Sequence, residues 1–287
     1  MPAQRQPPPL RLRRLGNALL RLRDAAELTR ENVTERTHLN VATLYRIETG
    51  QARPQRRTLI TLLDLYEVPQ AAREELFDLA RQAGAPSWLQ TFPDELPPTY
   101  RAYIEFEGEA AGLLNYESLY VPGLFQIREY ARATIQAGAP TALPDDIDRR
   151  ADARMARQAV LTRTPPLRLW AILDEAALHR PAGGAAVMRA QLEHLAGQAD
   201  IPHVTLQVIP YAAGPHPGMV GSFAVLRFAE PAESDVVYVE GQVSDLFLEK
   251  EADVRQYVGI FEHLRALALS PDGSVELIKR IAREQFA

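Results

Sequence analysis

Residues 29–50, TRENVTERTHLNVATLYRIETG, constrain the fold of this chain more than any other stretch. Thr29 and Asn40 are residue types that cap helix N-termini, and each precedes a run of about eight residues. Gly50 supplies the left-handed residue with which helices commonly end. The segment therefore predicts two short helices joined by a tight turn. Helices this short need neighbours to bury their apolar faces, so flanking helices must complete the domain.

The flanking sequence contains those helices. Apolar residues recur at helical spacing from Leu12, and a Pro-marked loop after the paired helices leads into two further helical patterns. We expect a five-helix domain over residues 12–83, in which the second short helix, residues 41–49, lies in a DNA major groove. The fourth helix of this domain is predicted to turn four residues inward: Leu59, Leu62, Leu63 and Tyr66.

Segments of different composition border this domain. Residues 1–11 are rich in proline and arginine and predict a flexible basic arm, with a solubilising tail as the alternative. Residues 84–99 carry four prolines and predict a linker to a larger domain at residues 100–287. A pure linker does not need Trp88 and Phe92, so we expect these aromatic side chains to pack on one of the domains.

Charge separates the two predicted domains. Residues 1–83 contain 14 arginines and 10 acidic residues, a net charge of +4, whereas the remainder carries −9. A basic N-terminal domain, called the head from here on, joined to an acidic remainder favours binding of a polyanion by the head. The chain has no cysteine, which excludes disulfides and cysteine metal sites, and no apolar run approaches the ~20 residues that span a bilayer. We expect a cytoplasmic protein that binds no membrane, metal or cofactor.

Two motifs in the head carry a family resemblance. LRxxxxLT, with Leu22, Arg23, Leu28 and Thr29, and RIETG at residues 46–50 together resemble the lambda-repressor/Cro-like, or xenobiotic-response-element, helix-turn-helix family. This resemblance implies an ion pair between Arg23 and Glu48 that locks the reading helix to its support. It also implies double-stranded DNA as the partner, bound by Arg30, Asn40, Val41, Ala42, Thr43, Tyr45, Arg46, Arg53 and Arg56.

The head departs from that family at three positions. Val41 and Ala42 stand where glutamine or serine is frequent, so they offer only apolar contact to thymine methyl groups. Arg46, together with Arg53, Arg56 and Arg57, is then expected to supply most of the polar contacts. His38 stands where a glycine is frequent, which predicts a left-handed histidine in the turn. The alternative is a helix-turn-helix that no longer binds DNA and mediates only protein contacts.

The larger domain is predicted as helices around a mixed sheet of about five strands, which makes the whole chain α+β and mainly helical. LRLWAIL and VTLQVIP flank a helical segment and predict a parallel βαβ unit. Three short antiparallel strands and two closing helices follow. Residues 100–120 are predicted as one helix with a solvated acidic face formed by Glu105, Glu107, Glu109 and Glu117.

One candidate catalytic set lies in this domain. Asp174 and Glu175 end the first predicted strand and, with His216, would imitate a hydrolytic trio. The sequence has no GxSxG serine elbow, however, and the glycines around His216 favour a shaped loop. We therefore expect no enzyme activity.

Several stretches of the larger domain carry a second resemblance, among them VPGLFQIREYARA, LDEAALHRPAGG, VTLQVIPYAAGPHPGMVGSF and FEHLRALALSP. They resemble the domain of unknown function that follows a helix-turn-helix in many actinobacterial regulators, some described as antitoxin-like. The resemblance implies a transcriptional regulator whose C-terminal domain receives a signal, for example from a small partner protein, and it names no ligand. Because one head reads only a few base pairs, we expect a homodimer that is switched through this domain by a partner or a small molecule. The alternative function is an antitoxin-like module that mainly sequesters a small partner protein.

Overall fold

The computed structural model describes residues 10–82, 89, 92, 96–229, 234–242 and 244–286. The chain divides into two compact units, residues 1–90 and 91–287, and the division falls inside the predicted linker. Of the two aromatic residues in that segment, Trp88 lies outside the described residues and Phe92 is partly buried.

The N-terminal unit has five helices in its described part. They are α1 (Leu10–Ala25), α2 (Arg30–Thr37), α3 (Val41–Glu48), α4 (Arg56–Leu65) and α5 (Gln70–Gln82). The predicted arm, residues 1–11, overlaps the start of α1 by two residues, Leu10 and Arg11. The rest of that arm, residues 1–9, lies outside the described residues.

One hydrophobic core holds these five helices together. Its members come from every helix, and they include the four inward residues predicted for α4. The largest fully buried side chains of this core are Leu15, Leu19, Leu44, Leu59, Leu62 and Leu63. Because α2 and α3 each contribute few core residues, their stability depends on packing against α1 and α4.

The C-terminal unit combines helices with one six-stranded sheet. Its helices are α6 (Pro98–Glu109), α7 (Arg128–Gly138), α8 (Pro144–Arg157), α9 (Ala176–His179), α10 (Ala185–Gln198), α11 (Glu251–Leu267) and α12 (Pro271–Gln285). Its strands are β1 (Gly112–Glu117), β2 (Arg168–Asp174), β3 (Val204–Ile209), β4 (Phe223–Arg227), β5 (Val236–Val239) and β6 (Leu246–Leu248). The α+β, mainly helical class is confirmed.

The sheet has the order β3-β2-β1-β4-β5-β6. Strands β1, β2 and β3 are parallel, and the predicted βαβ unit is confirmed by the pairing of β2 with β3. Strands β4, β5 and β6 are antiparallel, also as predicted, and β4 runs antiparallel to β1. The sheet is therefore mixed, with β1 at the junction between its parallel and antiparallel halves.

One strand, β1, was not predicted, and it shows that the prediction of a single helix over residues 100–120 is wrong. Helix α6 ends at Glu109, Ala110 is extended, and β1 follows at Gly112. This strand is central and covered on both faces, so residues 113–116 are all buried. Strands buried on both faces lack the alternation that distinguishes a strand from a helix in sequence.

The prediction of a solvated acidic face on this segment is also wrong. None of its four carboxylates is fully exposed, and Glu107 is completely buried. Arg157 of α8 donates to Glu107 through both Nε and Nη2, and the Nη2–Oε2 distance is 2.8 Å. The carboxylate tolerates burial because a bidentate guanidinium partner lies 50 residues further along the chain.

Candidate nucleic-acid interface

Local hydrogen bonds fix the starts of α2 and α3, and a left-handed residue ends α2 at the turn between them. Thr29 Oγ1 accepts from the Asn32 backbone N–H and Asn32 Oδ1 accepts from that of Thr29, which closes a capping box at the start of α2. His38 ends α2 with φ 56°, the left-handed conformation predicted for it. Asn40 Oδ1 then accepts from the Ala42 backbone N–H at 2.8 Å and caps α3. Polar side chains thus satisfy backbone N–H groups at the N-termini of both helices.

Helix α3 is clearly two-sided. Leu44 and Ile47 are buried in the head core, whereas Val41 and Tyr45 are 40% and 46% exposed. The predicted DNA-contacting residues that are exposed are Asn40, Val41, Ala42, Thr43, Tyr45, Arg46, Arg53 and Arg56. The exposed face of α3 therefore carries one arginine, Arg46, among small and apolar side chains.

A buried carboxylate joins three helices beneath this face. Arg23 Nε of α1 donates to Glu48 Oε1 at 2.6 Å, and Arg30 Nε of α2 donates to Oε2 at 2.6 Å. The Glu48 side chain has no solvent exposure. Burial works against the charge of Arg23, but the hydrogen bond and charge of Glu48 outweigh burial and raise the pKa of Arg23. Glu48 thus anchors the end of α3 to both α1 and α2.

The structure places Arg30 differently from a free phosphate ligand. Besides its bond to Glu48, its guanidinium lies over the Tyr45 ring, 5.2 Å from the centroid, and a third of the side chain is exposed. Arg30 therefore orients Tyr45 as well as presenting charge at the start of α2. Arg56 is similarly held over the ring of Phe77 at 5.2 Å.

Gly16 is a positioning residue that the sequence analysis missed. A Cβ at Gly16 would lie 2.6 Å from the carbonyl oxygens of Ile47 and Glu48, so α1 contacts the last turn of α3 at a distance only glycine permits. Gly50, with φ 68°, makes a similar approach to the Arg13 backbone. The available signal was a glycine inside an amphipathic helix, which usually marks close packing.

The candidate catalytic set of the C-terminal unit is only partly assembled. His216 Nε2 lies 3.0 Å from Asp174 Oδ2, and the His216 side chain is 3% exposed. Glu175 points elsewhere, since its Oε2 accepts from the Tyr211 backbone N–H and its Oε1 lies near His179. The set forms a His–Asp pair without a third member.

Two features are absent from the described residues. No group of three or more His, Asp or Glu side chains there is arranged to hold a metal ion. No helix in the same part of the chain combines the length and apolar character needed to cross a membrane.

Comparison with known families agrees with this division of the chain. Residues 14–76 match a family described as a helix-turn-helix domain, which indicates a DNA-binding regulator rather than an enzyme. Residues 100–280 match a family described as a domain of unknown function, DUF5753. No curated protein and no solved structure matches the chain. Since the second match spans more than half of the sequence, the chain belongs to the DUF5753 family and carries a helix-turn-helix domain at its N-terminus.

Proposed function

We propose that this protein is a sequence-specific, DNA-binding transcriptional regulator of the cytoplasm that reads duplex DNA with α3. The observation that carries the proposal is the exposed face of α3, fixed from below by the contacts of Glu48 with Arg23 and Arg30. A reading helix held this way keeps its side chains in place before DNA arrives, which lowers the entropic cost of binding.

The chemistry of this face sets the expected base preference. Val41, Ala42 and the methyl group of Thr43 offer apolar contact to thymine C5-methyl groups, and Arg46 offers paired donors to guanine O6 and N7. Arg53, in the loop after α3, and Arg56, the first residue of α4, are both exposed and are suited to phosphate contacts, which position the protein without reading sequence. We expect a short half-site containing guanine next to thymine.

One such head reads only a few base pairs, so useful affinity needs two heads about one turn of duplex apart. We therefore propose a homodimer on a palindromic site. We further propose that the C-terminal unit, which is a compact unit separate from the head, controls DNA binding in response to a small partner protein or a small molecule.

Selection of bound duplexes from a randomised library, with the purified full chain at physiological salt, tests this function. We expect enrichment of two inverted half-sites whose centres lie about one helical turn apart. Arg46→Ala should abolish the guanine preference, while the matched variant Arg280→Ala, exposed on α12, should leave the selected sequence unchanged. Recovery of no sequence preference by the wild type would refute the proposal.

A further inference from the structure

The edge of the sheet at which β1 and β3 end and β4 begins carries an unusual set of exposed apolar side chains. Seven large hydrophobic residues are exposed among the described residues of the C-terminal unit, and five of them come from the loops at this edge. We call these five the apolar edge: Leu119, Tyr120, Tyr211, Met219 and Val220. Single exposed hydrophobics are common on protein surfaces, but a group at one place marks an interaction site.

The sheet topology brings the three loops together. Strands β1 and β3 both run parallel to β2, so the loops after them emerge at the same edge. Strand β4 runs antiparallel to β1, with Tyr116 opposite Phe223, which places the loop before β4 there too. The Ser118 backbone N–H donates to Ser222 Oγ at 3.0 Å and joins the first of these loops to the third.

The loop before β4 is fastened on both sides of its exposed residues. His216 is held by Asp174 at 3.0 Å, and Ser222 is held by Ser118. Between these contacts Gly218 packs on the ring of Tyr116, where a Cβ would lie 2.5 Å from Cζ. Met219 and Val220 are left 68% and 97% exposed. The fold therefore holds two large apolar side chains in solvent on a fixed backbone.

We infer that the apolar edge is the surface through which two copies of this chain associate. From their exposed fractions the five residues present on the order of 600 Å², close to the roughly 800 Å² that each partner contributes to a standard interface. Tyrosine and methionine are enriched in interfaces, and the cores of homodimer interfaces are more apolar than ordinary surface. In a two-fold dimer one such patch suffices, because it meets its own copy.

Charge limits the surface through which a second copy can associate to the uncharged apolar edge. The chain beyond residue 83 carries −9, so two copies repel each other over most of this surface. None of the five residues is charged. Of the nearby carboxylates, Asp174 accepts from the Ala176 backbone N–H and pairs with His216, and Glu175 accepts from the Tyr211 backbone N–H. The need for a second copy rests on the proposed function, since a single head reads too few base pairs.

Sedimentation equilibrium of the full-length chain over a range of concentrations tests the inference. We expect a dimer for the wild type and an increase of about 100-fold or more in its dissociation constant for Val220→Glu, because the two-fold axis brings like charges together. Leu143→Glu is the matched control, since Leu143 is likewise exposed, at 67%, but lies outside the apolar edge. The Leu143→Glu protein should remain dimeric. Val220 makes almost no buried contact, and circular dichroism will verify that Val220→Glu is folded.

A second measurement uses the absence of cysteine from the chain. Val220→Cys carries the only thiol, so a spin label on it should show strong dipolar coupling between copies, and a label on Leu143→Cys should not. A monomeric wild type, or a dimer unaffected by Val220→Glu, overturns the inference. A dimer that selects no DNA refutes the proposed function alone. A monomer that selects single half-sites refutes the interface and the homodimer but leaves DNA reading by α3 in place.

Discussion

Arg23 and Glu48 are 25 residues apart in sequence, yet Arg23 Nε donates to Glu48 Oε1 at 2.6 Å in the interior of the head. The same arginine donates through Nη1 to the Leu28 carbonyl at 2.7 Å, which ties the contact to the loop before α2. Because the carboxylate has no solvent exposure, its charge depends on its arginine partners for compensation. The contact therefore couples the stability of the head to the orientation of α3.

Glu48→Ala should lower the free energy of unfolding of the N-terminal unit by about 3 kcal/mol, since it leaves the buried Arg23 without its main counterion. Calorimetry of the full chain, with hydrogen exchange to identify the helices that unfold, measures the change. Asp64→Ala is the control, because its pair with Arg73 is 58% exposed on the aspartate side and should be worth less than about 1 kcal/mol. Equal losses for the two variants would contradict the assigned role.

Arg46 and Arg30 should separate base reading from positioning. Arg46→Ala should cost roughly 1–3 kcal/mol at one base position and leave other positions unchanged. Arg30→Ala should lower affinity for all duplexes alike, because it removes a charge near phosphate and frees Tyr45 from its cation–π contact. Fluorescence anisotropy against a selected site and its single-base variants measures both. A base-selective loss for Arg30→Ala would reverse the two roles.

The head was predictable from sequence because its signals are local. The caps at Thr29 and Asn40 and the left-handed His38 each show within a few residues. The C-terminal unit was less predictable because its decisive contacts are distant in sequence. Glu107 looks like a surface residue until Arg157 is placed beside it, and β1 lacks alternation because helices or loops cover both of its faces. The contact of His216 with Asp174, by contrast, joins two members of the candidate catalytic set that was named from the sequence.

Glu117 should make the C-terminal unit less stable as pH rises. Burial, reinforced by the nearby charge of Glu240, raises the pKa of Glu117 from 4.5 to about 7, although hydrogen bonds from Ser222 and Asn115 oppose this. Between these two values the folded state keeps a proton that the unfolded chain has released, so the contribution to stability is present below pH 4.5 and is lost as pH approaches 7.

Glu117→Gln removes this titration and should stabilise the unit by about 2 kcal/mol at pH 8, with little difference from wild type at pH 4.5. Urea unfolding at both pH values measures the difference. For the control Glu129→Gln, at an exposed position on α7, the difference in unfolding free energy from wild type should be the same at both pH values. If Glu117→Gln gave the same gain in stability at both pH values, the titration of the Glu117 carboxyl group could not be its cause.

The buried pair of Glu107 and Arg157 should behave as a unit. Arg157→Met should destabilise the C-terminal unit by about 3–5 kcal/mol, because it leaves a fully buried carboxylate without its cation. The double variant Glu107→Gln/Arg157→Met should recover part of that loss, since no uncompensated charge then remains. Urea unfolding of the wild type, the two single variants Glu107→Gln and Arg157→Met, and the double variant gives the coupling energy, and strict additivity of the single effects would contradict the pairing.

Gly218 should be intolerant of even one added methyl group. In Gly218→Ala the new Cβ meets the Tyr116 ring at 2.5 Å, and that ring is fully buried in the sheet core and has no room to withdraw. We expect a loss of about 1–3 kcal/mol, as for other overpacked cores, together with displacement of Met219 and Val220 from their fixed positions.

Gly259→Ala is the matched control: nothing lies within 4 Å of its Cβ in the middle of α11, so helix propensity should stabilise the unit by up to about 1 kcal/mol. Thermal unfolding of both variants decides the matter, because opposite signs are expected from the same chemical change. If Gly218→Ala were neutral, the loop before β4 would not be held against Tyr116, and the fixed presentation of the apolar edge would have to be abandoned.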